Sequence, residues 1–254
     1  MITKVVTTFG RAGKELYGNQ FIETFLKYWP SDVLLTIYYE DWEPDVINSR
    51  IEYINIDEAI PEVNQFRDFC QIEIDKLTDK KSKSINWFNK AIRWSFKSLV
   101  MYTELKRKKA DYVIWLDGDV STLATPMPKF AETLLKGKAF ASQLEFIKGA
   151  NHCESGIVVF DTNHTDCPKI IDHLYTGYVD KQVLKLSKPW DGFWLALMIS
   201  NGISFNDLNK DRTGRGKTFT NRNLFNVLDH NVGNRKLKNN NLHAITGRGF
   251  NESW

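Results

Sequence analysis

The sequence predicts an α/β fold with a central, mostly parallel sheet. Short β-branched runs alternate with stretches of helical periodicity, an order that builds parallel sheets. Residues 112–116, YVIWL, form a nearly unbroken apolar run, which is typical of a central strand covered on both faces. Because the chain has 254 residues and no linker-like segment, we expect one domain over residues 1–254.

The first elements form a β-α opening. Residues 4–9, KVVTTF, predict a strand that ends at Gly10. Residues 16–29 then repeat apolar side chains at helical spacing until Pro30 stops the helix. Further strands are predicted at 33–39 and 51–56.

The remaining chain continues this alternation. Helices are predicted at 59–77 and 86–108, and the second of them directly precedes the apolar strand at 112–116. Ligands of open α/β sheets gather beyond the carboxyl ends of the strands, so chemistry is expected where this strand ends, at Asp117. The later predicted elements are strands at 139–143 and 156–161 and helices at 168–178 and 192–199.

Charge is distributed unevenly along the chain. The total of 34 basic and 31 acidic residues gives a net charge of +3, which does not require a nucleic-acid partner. Residues 210–248, however, hold nine basic residues and two acidic ones. This segment therefore favours an anionic ligand, which could be a diphosphate, a lipid-linked sugar or a nucleic-acid backbone. The 8 Trp residues suit either sugar binding or core packing.

Cysteine usage and the amino-terminal sequence predict a cytoplasmic location. The chain has 3 Cys, an odd number without the spacing of a disulfide framework, and its first residues lack an apolar signal segment. No apolar run reaches the length of a membrane span, so no integral membrane segment is expected.

Asp117-Gly118-Asp119 follows the apolar strand directly. Two carboxylates separated by one small residue are able to bind the same hard cation, and the glycine leaves room for a phosphate. Asp-Gly is also a common turn dipeptide, so the position at the end of a buried strand is what favours a metal site.

A second cluster lies at residues 230–236, HNVGNRK. The imidazole of His230 is able to complete the coordination of a cation held by two carboxylates. Gly233 allows the backbone to approach phosphate oxygens, and Lys236 is able to neutralise the negative charge that develops there.

Together these motifs resemble the paired D-x-D and H-x-x-G-x-x-K signatures of the retaining, glycogenin-like family 8 glycosyltransferases. The segment 154–161, ESGIVVFD, resembles the [N/E]-[S/A]-G strand that lines the sugar pocket in that group. Trp190-Asp191-Gly192 matches the acidic position that follows, although the family has Asp-Gln there. The resemblance implies a Rossmann-like nucleotide-diphospho-sugar transferase (GT-A) fold, with a donor half at about 1–120 and an acceptor half at about 121–254.

The resemblance also implies a function, which is transfer of a sugar from a nucleotide-diphosphate sugar, a UDP-sugar above all, with retention of configuration. The cofactor would be Mn²⁺ or Mg²⁺, and Asp191 and Glu154 would act beside the reacting sugar carbon. The implied metal ligands are Asp117, Asp119 and His230, and the implied donor contacts are Thr7, Thr8, Phe9, Lys97, Asp117, Gly118, Gly156, Gly233 and Lys236.

Two other functions stay open. Residues 7–14, TTFGRAGK, resemble the glycine-rich basic loop of nucleotidyltransferases, which share this fold type. A sugar- or nucleic-acid-binding module without turnover is the other alternative, although a binder has little use for a cation site. The acceptor is also open between a glycan or lipopolysaccharide sugar and a modified DNA base of the kind that some phage-encoded transferases glycosylate.

Three further patterns have alternative interpretations. Lys90, Arg93 and Lys97 share one face of the 86–108 helix, which is either a solvated basic face or a donor contact. Residues 213–218, TGRGKT, end like a phosphate-binding P-loop but lack its first glycine and its preceding strand. The cysteines and histidines between 152 and 173 fit no standard zinc spacing.

Overall fold

A computed structural model of the chain describes residues 1–77, 83–147, 150–209 and 227–230. Its nine strands in these ranges are β1 (Thr3–Phe9), β2 (Leu34–Tyr39), β3 (Ile51–Asn55), β4 (Tyr112–Leu116), β5 (Val120–Thr122), β6 (Phe140–Ile147), β7 (Ala150–Asp161), β8 (Phe205–Asp207) and β9 (Leu228–His230). Seven of them form one sheet in the order β3-β2-β1-β4-β7-β6-β8, and β5 pairs with β9 in a separate ribbon.

The helices occupy both faces of this sheet. They are α1 (Arg11–Gly13), which continues through a π-helical segment (Lys14–Gly18) into α2 (Asn19–Tyr28), then α3 (Ile56–Ala59), α4 (Pro61–Asp75), α5 (Lys83–Arg107), α6 (Phe130–Leu135), α7 (Cys167–Tyr178) and α8 (Asp191–Ser200). A 3₁₀ turn lies at Gln182–Lys185. None of the helices in the described ranges combines the length and apolarity needed to cross a bilayer.

The sheet is mixed but mostly parallel. β1, β2, β3 and β4 pair in parallel, as do β6 and β8, whereas β7 runs antiparallel to both β4 and β6. The prediction of an α/β fold with a mostly parallel central sheet is therefore confirmed.

The apolar character of β4 follows from its place in the sheet. Val113 and Trp115 belong to the hydrophobic core beneath α5, α7 and α8, while Ile114 and Leu116 belong to the core beneath α2 and α6. Since successive side chains of a strand point to opposite faces, a strand between two cores has no polar face.

The antiparallel hairpin β6-β7 extends beyond the end of β4. Leu116, the last residue of β4, pairs with Ile157, so residues 150–156 of β7 continue past it. Glu145 of β6 pairs with His152 of β7 in this extension. The predicted strands at 139–143 and 156–161 are thus each shorter than the strands in the structure.

Candidate active site

A cavity of about 830 Å³ opens where β1, β2 and β4 end. The segments that follow these strands line it on one side, and the β6-β7 extension lines it on the other. α5, the first residue of α8 and His230 of β9 complete the lining. The cavity therefore lies at the carboxyl ends of parallel strands, the ligand position expected for an open α/β sheet.

Backbone and side-chain hydrogen bonds fix the Asp117-Gly118-Asp119 turn. Asp117 N–H donates to the Gly156 carbonyl at 3.0 Å, and Val120 N–H donates to the Asp117 carbonyl at 2.9 Å. The Trp115 indole N–H donates to Asp117 Oδ1 at 2.8 Å. The carboxylate of Asp117 is thus oriented before any ligand binds.

The β5-β9 ribbon brings His230 to this turn. Val120 pairs with His230, and the imidazole Nε2 lies 3.2 Å from Asp119 Oδ1 and 3.8 Å from Asp117 Oδ2. One ligand atom from each of the three residues lies within 4.8 Å of the others. Asp119 and His230 are buried, so water screens their charges weakly.

The other side of the His230 ring contacts β7. Its Nδ1 lies 3.6 Å from Glu154 Oε1, and Glu154 Oε2 accepts a hydrogen bond from Gly156 N–H at 2.8 Å. A Cβ atom on Gly156 would lie only 2.4 Å from His230 Cε1, so the glycine is required for the ring to occupy this place. Burial lowers the pKa of His230, but the carboxylates of Glu154, Asp119 and Asp117 outweigh burial and raise it to about 9.

Lys97 of α5 links the acidic turn to Asp191. Its Nζ lies 2.7 Å from Asp117 Oδ1 and 3.1 Å from Asp191 Oδ2, and it donates to the Ser155 hydroxyl at 2.9 Å. Burial lowers the pKa of Lys97, but the two carboxylates outweigh burial and raise it above the ordinary value. Burial opposes ionisation of Asp191 as well, yet Lys97 holds the pKa of that carboxyl below its usual range. Lys97 and Asp191 are therefore both charged at neutral pH.

Comparison with solved structures identifies the fold. Mouse xyloside xylosyltransferase 1 matches at a TM-score of 0.50 and 11% identity, covering 82% of this chain and 85% of that protein. The chain has a GT-A glycosyltransferase fold. The galactosyltransferase LgtC with donor and acceptor sugar analogues matches at a TM-score of 0.47 and 12% identity, over 91% of this chain and 87% of LgtC. GlyE of Streptococcus pneumoniae matches at 0.48 and 12%, over 83% of this chain and 46% of GlyE.

Comparison of the sequence alone does not identify this fold. No protein-family model and no curated protein matches the chain. At identities near 11%, the structural similarity establishes the GT-A fold but not the reaction, which must be inferred from the residues of the site.

Nine of the residues predicted from sequence line the cavity of this GT-A fold. They are Thr8, Phe9, Lys97, Asp117, Gly118, Asp119, Glu154, Asp191 and His230. Two others do not line it: Thr7 is fully buried within β1, and Gly156 supports His230 from behind. Gly233 and Lys236 lie outside the described residues, as do the 213–218 segment and the basic stretch apart from residues 227–230.

The structure adds detail at several of the predicted positions. At Gly118, a Cβ atom would lie 2.8 Å from Phe9 Cδ1 and 2.9 Å from Tyr17 Cε2, so these two rings favour a glycine here. Arg93 lines the cavity together with Lys97, whereas Lys90 does not. Within the described ranges, Asp117, Asp119 and His230 are the one group with metal-ligand geometry, and the histidines and cysteines between 152 and 173 form none.

The end of the cavity next to β1 and β2 contains acidic residues that the motifs did not indicate. Glu40 and Asp41 follow β2 and line the cavity beside Gly10 and Arg11. Burial, with repulsion from Asp41, raises the pKa of Glu40 to about 7. Their position directly after a predicted strand could have indicated that they line the cavity, because ligands bind at the carboxyl ends of strands in this fold class.

The opposite end also contains residues that the motifs did not indicate. Trp94 of α5, Trp190 before α8, and the Glu145 and His152 pair of the hairpin all line the cavity. No motif marks Trp94 or Glu145. Trp94 lines the cavity from α5, and Glu145 lines it because the hairpin extends past β4. Trp190 precedes the predicted Asp191, which was the one available signal.

Proposed function

We propose that this protein is a metal-dependent glycosyltransferase that moves a sugar from a nucleotide-diphosphate sugar, most specifically a UDP-sugar, to an acceptor hydroxyl. The observation that supports this most strongly is the group formed by Asp117, Asp119 and His230 at the end of β4, inside the cavity of a GT-A fold. A binding module without turnover has no evident use for such a group.

The three side chains fit a divalent cation of the Mn²⁺ or Mg²⁺ type. They offer two carboxylates and one imidazole, the oxygen and nitrogen ligands that such cations accept. Asp119 and His230 are both buried, and the β5-β9 ribbon holds His230 in place beside the turn. When bound, the cation would stabilise the negative charge of the departing diphosphate.

Asp191 and Lys97 suit the reacting sugar. Asp191 places a buried negative charge in the cavity, where it stabilises the positive charge that develops on the anomeric carbon. Lys97 holds Asp191 and Asp117 at a fixed separation by contacting both carboxylates. With retention, as the family 8 resemblance implies, the acceptor hydroxyl attacks on the face that the diphosphate leaves and gives its proton to the departing phosphate oxygen.

A panel of nucleotide sugars with Mn²⁺ tests the proposal directly. We expect manganese-dependent release of a nucleoside diphosphate from one donor, and loss of both donor binding and release in Asp119→Ala. Asp172→Ala, which removes an exposed carboxylate of α7, is the matched control and should behave as the unsubstituted protein does. If Asp119→Ala still binds the donor in a manganese-dependent manner, the assignment of Asp119 as a metal ligand is wrong.

The same panel separates the alternatives. A nucleotidyltransferase would release pyrophosphate instead of a nucleoside diphosphate, and a pure binding module would release neither. Asp191→Ala should lose turnover while calorimetry still detects donor binding, since Asp191 acts on the sugar and not on the diphosphate. Equal loss of binding and turnover in Asp191→Ala would show that this residue holds the donor instead.

A further inference from the structure

We propose that Glu40 binds the base of the nucleotide donor and makes the binding of uracil depend on a proton held by its own carboxyl group. Glu40 directly follows β2, is half-buried and lines the cavity. The proposal rests on the proposed glycosyltransferase function and adds a residue that contacts the base, together with a proton that regulates donor binding.

The sheet order favours a nucleoside beside Glu40. The chain runs outward from β1 to β2 and β3 and then returns to β4 on the other side of β1, so the strand order reverses between β1 and β4. Ligands of open α/β sheets bind at such a reversal, beyond the carboxyl ends of the strands. With the diphosphate at the turn after β4 and the sugar directed to Asp191, the nucleoside extends the other way, over the end of β1 toward β2. Two strand spacings separate β2 from β4, which is about 10 Å.

The carboxyl group of Glu40 is available to a ligand. Within the described residues it forms neither a hydrogen bond nor a salt bridge. The adjacent Asp41 is occupied instead, because its Oδ1 accepts from Arg11 N–H at 2.6 Å and its carbonyl accepts from the Arg11 guanidinium at 2.6 and 2.9 Å. Gly10 has no side chain to cover Glu40, since even a Cβ atom there would lie 3.4 Å from Glu40 Oε2.

The groups around Glu40 allow its carboxyl group to be neutral near pH 7. Asp41 follows it in the chain, Asp57 of α3 and Arg67 of α4 face it from the helices, and Tyr17 faces it from the π-helical segment. Burial and the two carboxylates raise the pKa of Glu40 to about 7, although Arg67 opposes them. Burial also raises the pKa of Tyr17 above its usual value, so the phenol stays neutral.

A neutral carboxyl group fits the edge of uracil, and a carboxylate does not. The neutral form offers one O–H donor and one acceptor oxygen, whereas the ionised form offers acceptors only. Uracil presents its N3–H between two carbonyls. A neutral Glu40 would accept from N3–H and donate to one of these carbonyls, but an ionised Glu40 would set an oxygen against that carbonyl. Uracil is therefore bound best below about pH 7, and its binding weakens as Glu40 ionises.

The test measures calorimetric binding of UDP at pH 6 and pH 8 to the full chain with saturating Mn²⁺. Glu40→Gln keeps the size of the side chain and has both a donor and an acceptor at every pH. Dividing the dissociation constant of the unsubstituted protein by that of Glu40→Gln removes the pH dependence of Mn²⁺ and of the diphosphate, which both proteins share. For a pKa of about 7, we expect this ratio to rise about tenfold from pH 6 to pH 8.

Two controls isolate the base. Inorganic pyrophosphate has the charge of the diphosphate but no base, so its ratio should stay constant between pH 6 and pH 8. Glu58→Gln neutralises an exposed carboxylate of α3 outside the cavity lining, and it should bind UDP as the unsubstituted protein does at both pH values.

Three results would overturn the role of Glu40. A constant ratio for UDP would show that no proton on Glu40 is involved, and a falling ratio would show that an ionised Glu40 binds the ribose hydroxyls instead. A rise that pyrophosphate shares would show that Glu40 repels the diphosphate. If the UDP ratio rises alone but no nucleotide sugar is turned over, the glycosyltransferase function fails while the role of Glu40 in nucleotide binding holds.

Discussion

Gly156→Ala should damage the proposed metal site by adding one methyl group. The new Cβ would lie 2.4 Å from His230 Cε1 and 2.5 Å from Nδ1, where an ordinary contact needs at least 3.4 Å. The ring must therefore move away by about 1 Å, while a metal site tolerates displacements of about 0.2 Å. We expect Mn²⁺ affinity to fall at least about tenfold and the free energy of unfolding to fall by about 1–3 kcal/mol.

Gly177→Ala supplies the control for overpacking itself. A Cβ there would lie 2.3 Å from Trp194 Nε1, so this variant should be destabilised by a similar amount while its Mn²⁺ affinity stays unchanged. Urea denaturation measures the stability of both variants, and titration of Mn²⁺ followed by electron paramagnetic resonance measures the affinity. Normal Mn²⁺ affinity in a folded Gly156→Ala protein would refute the assignment of His230 as a ligand.

Three further predictions concern the charges around the same site. At pH 9, where proton competition at His230 is largely relieved, Glu154→Gln should lower Mn²⁺ affinity about tenfold, because the Glu154 carboxylate lies 3.6 Å from His230 Nδ1 and supports the ring; unchanged affinity in the resonance titration at this pH would contradict this. Lys97→Met should lower the free energy of unfolding in urea by about 3 kcal/mol, because two carboxylates lose their partner, and an unaltered denaturation midpoint would refute it. The apparent Mn²⁺ affinity should rise about tenfold per pH unit from pH 6 until about pH 9, because the raised pKa of His230 means that Mn²⁺ must displace its proton; a flat profile would show that His230 is not a ligand.

Local patterns predicted the central part of the fold well. The run at 112–116 gave the bounds of β4 because a strand between two cores must be apolar at every position. The direction of β7 was beyond such reasoning, because an apolar strand has the same composition whether its neighbour is parallel or antiparallel. The strand β9 is three residues long and carries a single repeat of alternation, too little for a period to be recognised.

The candidate site likewise contains residues that local sequence patterns predict and residues that they do not. Asp117 and Asp119 follow a recognisable strand, and their chemistry is visible from spacing alone. Glu145 and His152 became cavity residues only through the pairing of β6 with β7, a contact that sequence spacing does not encode. The role of Gly156 likewise depends on His230, which lies far along the chain and reaches it through the β5-β9 ribbon.

The position of His230 gives the metal site a mechanical role as well as a chemical one. Asp117 and His230 are 113 positions apart in the chain, and within the described residues three pairs form the β5-β9 ribbon. A cation shared by the two ends would act as a reversible cross-link that closes this long loop, much as a disulfide does. At a hundredfold excess over its dissociation constant, it would add about 2.7 kcal/mol to the free energy of unfolding. Metal supply would then govern how firmly β9 stays attached to the enzyme, so chelation would loosen this edge of the molecule before it disturbs the seven-stranded sheet.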